Sequence, residues 1–372
     1  MKRLAATILV LGAALVTVAR GGHELPIYPS FYPHEIEIKS LAPEAAAQPL
    51  REGKIQAYVG SGLGFAGASP VDIRAIESLG SFIVVHVNPA SARAQDDASA
   101  CAVVRTVMRV LAAQGDFIAH PYPVTPFHGD YLHHADLATA AMARFPLDEA
   151  PVADLKIAAR GSLAQSHPEW SARDADWDAE VDEVDAAELV ASAIFSVNGW
   201  LAPPWVRTGW FHAERLLADA VREPARRERI ESDLQRLKAG DFTGLVERIN
   251  LERDLVTLLT AGCRKIVAGY TVNREYVNVE FSAGIENIGY DSIAGLHSPI
   301  FIRTVKLKDF PWNGWLALGI DGKPAAAWNP IGGMVDPFGR LLGFTVGDPA
   351  LLPSPYESGW MLNRIADLPP GQ

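Results

Sequence analysis

The chain has 372 residues, 49% of them hydrophobic, and a formal net charge of -11 at pH 7. That is enough apolar chain for two ordinary domains or one large one, and the acid excess argues against nucleic acid or anionic lipid as the main partner. Only two cysteines, Cys101 and Cys263, are present, which excludes a disulfide-rich scaffold, covalently attached haem and thiolate iron-sulfur clusters.

In chain order, Met1, Lys2 and Arg3 give a positive start, and Leu4 to Ala19 is apolar apart from Thr7 and Thr17. Charge, length and order are those of a secretory signal peptide, with cleavage expected after Ala19 or Gly21. The apolar run is shorter than the roughly 20 residues a spanning helix needs. No later run is long enough either, so the mature chain is expected to lack a membrane span and to be periplasmic or secreted. Cleavage after Gly21 would remove Lys2, Arg3 and Arg20 and take the charge from -11 to -14. Such a surface suits a cationic ligand, a metal or a basic protein partner outside the cytoplasm. In an oxidising compartment the two cysteines fit one long-range disulfide, or else two separate buried thiols.

Residues 24–145 read as an α/β unit. Strands are expected at 35–39, 54–59, 81–88 and 116–120, with helices at 43–53, 69–80 and 96–115 between them. Ser69 before Pro70 marks a helix start. Crossover helices between strands predict a mostly parallel sheet. The strand IQAYVGSG, the Ala-rich helix before it and the later SLGSFIVVHVN resemble the first lobe of periplasmic type-2 solute-binding proteins over residues 34–145. The resemblance implies a ligand held by loops at strand ends, here Gly60, Ser61, Ser81 and Asn88, gathered at one rim. No matching second lobe is recognisable after residue 146.

Residues 146–188 read as a polar, acidic connection, and residues 189–372 as a helical then β-rich second domain with an irregular, aromatic tail. Strands are expected at 265–273, 275–284 and 299–308. The acidic run from Asp174 to Asp185 partly imitates a twelve-residue calcium loop, but Ala179 stands where Gly is needed and Asp185 where Glu is expected. A solvated linker or helix start is the preferred reading. Gly62 to Gly67 spells GxGxxG, yet the expected helix starts too late for a dinucleotide fingerprint and no acid ends the next strand. Trp200, Trp205, Trp210, Trp312, Trp315 and Trp328 form two groups, suited to packing or to a sugar, quaternary ammonium or protein partner. No GxSxG turn occurs.

The most suggestive segment is His120 to Asp136, which holds four of the ten histidines. A helix starting near Gly129 would place Asp130, His133 and His134 on one face. With His120 or His128 from the Pro-rich loop, Asp130 and His134 would then form an imidazole and carboxylate set for zinc, copper or iron. The alternative is that these histidines bond backbone carbonyls. The favoured function is an exported binding or accessory protein that holds a small ligand or metal for an extracytoplasmic system. The alternatives are a metal-dependent enzyme built on His120 to Asp136 and a structural or interaction protein using the aromatic C-terminal region.

Overall fold

The computed structural model describes residues 33–65, 70–113, 117–170, 176–196, 203–310, 314–324, 334, 336–346, 351–354 and 359–362. The signal segment, Ser69, Asp174, Trp200, Trp312 and Trp328 lie outside them. Among the described residues no helix is long and apolar enough to cross a membrane.

The architecture is mixed α/β. Its centre is an eight-stranded sheet made of β1 (Glu35–Ser40), β2 (Ala57–Val59), β3 (Ile73–Val87), β4 (Ile118–Ala119), β5 (Ile157–Ala159), β6 (Ala179–Asp185), β7 (Lys265–Asn278) and β10 (Trp315–Ile320). The spatial order is β1-β10-β2-β7-β3-β6-β5, with β4 paired to β7. Pairing is parallel at β1·β10, β10·β2 and β5·β6, and antiparallel where β7 meets β2, β3 and β4 and where β3 meets β6. Strands from both sides of residue 146 are therefore interleaved in one sheet, with β6 and β5, both after it, side by side at one edge. Outside it, β8 (Ile285–Glu286) pairs with β9 (Lys306–Leu307), and β11 (Leu351–Pro353) with β12 (Trp360–Leu362).

Helices cover the faces. α1 (Pro43–Arg51) follows β1, and α2 (Asp97–Ala112) follows β3. α2 opens on a capping box between Asp96 and Ser99 and buries Val103, Val104, Val107, Met108 and Leu111, the spacing of one helix face. α3 (Ala135–Arg144) and α4 (Gly161–Ser166) come next. α5 (Ala186–Ser196), α6 (Gly209–Leu217), α7 (Pro224–Ala239) and α8 (Leu245–Leu259) form the expected helical stretch. α9 (Pro299–Thr304) and α10 (Pro337–Val346) follow.

The helix expected at 69–80 is instead the first half of β3, a continuous 15-residue strand. Ile73, Ile76 and Leu79 repeat every three residues, which imitates a helix face. In the strand, an odd separation sends Ile73 and Ile76 to opposite faces of the sheet, into different core clusters. The register then shifts between Leu79 and Phe82. Such a bulge reverses the alternation, so Leu79, Phe82 and Val84 share the core under α5 to α8, while Ile83, Val85 and Val87 face α2. Gly80 makes the bulge fit: a Cβ there would lie 2.6 Å from the Thr271 hydroxyl, which accepts the Ser81 amide at 2.9 Å.

Two other segments depart from expectation. The acidic run is not a calcium loop or a solvated linker over 179–185, because Ala179 to Asp185 is β6, paired along its length with β3 and over Ala179 to Val181 with β5 as well. A strand sends successive acids to opposite faces, and Ala179 and Val181 fill the α2-side core. Residues 299–304 form α9 and not a strand, started by Ser298, whose side chain accepts the Ile300 amide, with Pro299 in the first turn. Cys101 on α2 and Cys263, just before β7, form a disulfide with Cα atoms 5.0 Å apart.

Candidate functional site

The histidine segment runs from β4 over the sheet to α3. The expected helix from Gly129 does not form; Tyr131 to His133 is a single tight turn, and α3 begins at Ala135. His120 Nε2 donates to the Val124 carbonyl at 3.0 Å. His128 sits in a chain whose direction is fixed at both ends. The Val206 carbonyl can only accept, so His212 Nε2, 3.1 Å away, carries hydrogen. Neutral His212 therefore accepts at Nδ1 from His128 Nε2 (2.9 Å), and His128 Nδ1 accepts the Thr125 amide (2.9 Å). Burial pushes His128 down to about 3 and His212 well below the usual histidine range. Phe82 stacks on the His128 ring.

Asp130 and His134 do come together, with a third residue that sequence spacing did not reveal: Glu252, in the middle of α8. One ligand atom from each lies within 4.8 Å of the others, and all three residues are buried. Both Asp130 oxygens accept the Gly209 amide at 3.1 Å, at the start of α6. His134 Nδ1 shares a 2.8 Å hydrogen bond with the Tyr122 hydroxyl, which aims Nε2 away from that contact. His134 Nε2 and Glu252 Oε2 are buried without a hydrogen-bond partner. The other Glu252 oxygen lies 3.5 Å from Arg248.

The electrostatics follow from desolvation. Burial, then the nearby Asp130 charge, raises Glu252 to about 7. Burial raises Asp130 as well, opposed by the Gly209 amide. Burial lowers His134 to about 4, opposed by Asp130. His120 and His128 do not join this group, being spent on Val124, Thr125 and His212. His133 contributes its carbonyl to Arg253, which also grips Asp136 with two contacts of 2.7 Å. That pair clamps α8 to the start of α3 and thereby sets Glu252 opposite His134.

The loop residues named by the resemblance lie apart. Tyr58, two residues before Gly60, faces Tyr276, while His86, two before Asn88, faces Lys265. Those partners are roughly eleven residues apart on β7, about 35 Å of strand, so Gly60 and Asn88 do not share a rim. The cause is β3, which is one long strand and not a helix followed by a strand. The Ser61 amide donates to Asp321 Oδ2 at 2.9 Å. The Gly60 amide bonds Glu275, a fully buried acid that also accepts the Leu296 amide at 2.5 Å and that burial pushes up to about 8. Ser81 faces Asp185 in mid-sheet, and the Asn88 side chain donates to the Trp177 carbonyl at 2.7 Å. Of the tryptophans, Trp210 is core and packs with Trp205 and Phe211, whereas Trp315 is exposed at the start of β10.

No family model matches the chain, and no curated protein is significantly similar to it. Among solved structures it is similar to HbpA2 from Haemophilus parasuis, at 11% identity and a TM-score of 0.40, over 72% of this chain and 57% of that one. It is similar to the oligopeptide-binding protein AppA from Bacillus subtilis, in complex with a nonapeptide, at 12% identity and a TM-score of 0.38, over 72% and 58%. A third is NikA from Brucella suis, in complex with Fe(III)-EDTA, at 12% identity and a TM-score of 0.37, over 72% and 60%. The chain spans less than two thirds of the length of each.

Proposed function

We propose that this is an exported binding protein, working in the periplasm or outside the cell, that holds a divalent metal ion through Asp130, His134 and Glu252. The observation that carries the reading is a buried group in which one ligand atom each from Asp130, His134 and Glu252 lies within 4.8 Å of the others, and in which His134 Nε2 and Glu252 Oε2 have no hydrogen-bond partner. Unpartnered buried polar atoms cost about 1 to 3 kcal/mol each, and a cation bound by all three would recover that cost. One imidazole with two carboxylates is a donor set for zinc, and also for iron or manganese; with no thiolate or thioether it is a poor set for copper(I). The Tyr122 hydroxyl would hold the imidazole in place, as outer partners of metal-bound histidines do. Export is supported by the charged and apolar N-terminus and by the Cys101–Cys263 bridge, since such bonds persist in oxidising compartments.

Burial favours holding over catalysis. A catalytic metal keeps a position open to substrate or water, whereas Asp130, His134 and Glu252 are 8%, 0% and 3% exposed. Protein purified without chelator, or dialysed against zinc, should carry about one equivalent of metal. His134→Ala should lose it while keeping the circular dichroism of the parent. Zinc at 100 times its dissociation constant should add about 2.7 kcal/mol of stability to the parent and none to the variant. A parent that takes up no metal, or a variant that takes up as much, removes the reading.

A further inference from the structure

A crevice of about 200 Å³ opens between the Pro121–Pro123 loop, α3, the end of α8 and the start of β7. Its walls are mainly apolar, with Tyr122, Leu137, Ala141 and Phe145 among them, and among the described residues its charged lining is Arg144 and Lys265. Among the described residues no Asp or Glu lines it, on a chain whose net charge is -11. It shares the Tyr122 wall with the buried Asp130–His134–Glu252 group but contains none of those three residues.

We propose that this crevice binds a small apolar monoanion, an aromatic or short branched carboxylate. Volume sets the size: an apolar cavity of about 150 Å³ accepts benzene, so 200 Å³ holds one ring with a carboxylate attached. The walls supply the burial for the ring, at about 25 cal/mol per Å². The two cations supply the sign. Lys265 contacts Asp219 at 2.8 Å and Arg144 contacts Asp97 at 3.1 Å, but those acids are 73% and 56% exposed. Exposed ion pairs are worth little, so a carboxylate brought in by its apolar body can share either cation. A neutral molecule of the same shape gains the burial and not the charge. The site is independent of metal at His134.

The test uses the full chain, benzoate as probe and benzyl alcohol as its neutral counterpart, with titrations by calorimetry or amide chemical shifts in the presence and absence of chelator. Benzoate should bind saturably, at least tenfold more tightly than benzyl alcohol, with shifts centred on α3 and residues 265–267, and chelator should not change it. Lys265→Met should weaken benzoate about tenfold and leave benzyl alcohol unchanged. Ala140→Trp, at an exposed position on the crevice wall where bulk does not disturb the core, should abolish both. Absence of saturable binding, equal affinity for the two probes, or an Ala140→Trp variant that binds like the parent each overturns the proposal. Loss of metal binding alone does not bear on it.

Discussion

At the residue scale, burial decides which side chains act as charges. Glu275 is raised to about 8 when folded, by burial first and the Asp321 charge after it, and its ordinary value is 4.5. A group raised in this way contributes stability that is intact below 4.5 and is lost as pH rises toward 8, because the unfolded chain releases the proton first. Glu275→Gln should therefore remove a decline on the order of a few kcal/mol between those limits, read by urea unfolding at a series of pH values. A variant whose stability still falls as steeply would place that decline elsewhere. The His128–His212 pair works in the opposite sense. Both are held neutral by burial, so stability is intact above about 6.5 and falls as pH drops from there toward 3. Parent protein should lose on the order of one kcal/mol per pH unit per histidine over that window, and a His128→Gln variant should show a shallower slope.

At the element scale, the long strand β3 organises the molecule, and its bulge is the feature on which its alternation depends. Gly80 leaves room for the Thr271 hydroxyl that holds the bulge. Gly80→Ala puts a methyl group 2.6 Å from that oxygen and should cost about 1 to 3 kcal/mol, as overpacking does. The expected reading is a lower urea midpoint with an unchanged slope; an unchanged midpoint would mean that the bulge tolerates the methyl group. The helix at 43–51 and the capped helix at 97–112 were legible because their apolar spacing and termini agree with each other. The three-residue spacing of Ile73, Ile76 and Leu79 misled because a strand buried on both faces can bury residues at odd spacings, including one that a helix would also give.

At the scale of the whole molecule, the disulfide ties α2 to the entrance of β7 across 162 residues of sequence. Constraining a loop of that length raises the free energy of the unfolded chain, with native disulfides worth about 2 to 5 kcal/mol. Reduction, or Cys101→Ser with Cys263→Ser, should lower the melting temperature by several degrees; an unchanged melting temperature would mean that the bond does not form in solution. The same architecture brings α8 over the histidine segment, and with it Glu252, more than a hundred residues from Asp130 in sequence.

Local order along the chain was enough to give the α/β class, the helices at 43–51 and 97–112, and the pairing of Asp130 with His134 four residues later. The remainder rests on contacts between segments far apart in the chain. Whether Ile73 to Gly80 coils or extends depends on β7 lying beside it to take its hydrogen bonds, and whether Asp182 meets water or a neighbouring strand depends on β3, where it faces Val84. The third member of the candidate metal group depends on the packing of α8 against α3, held by Arg253 and Asp136. Contacts between distant residues carry no periodicity, so no spacing in the chain announces Glu252.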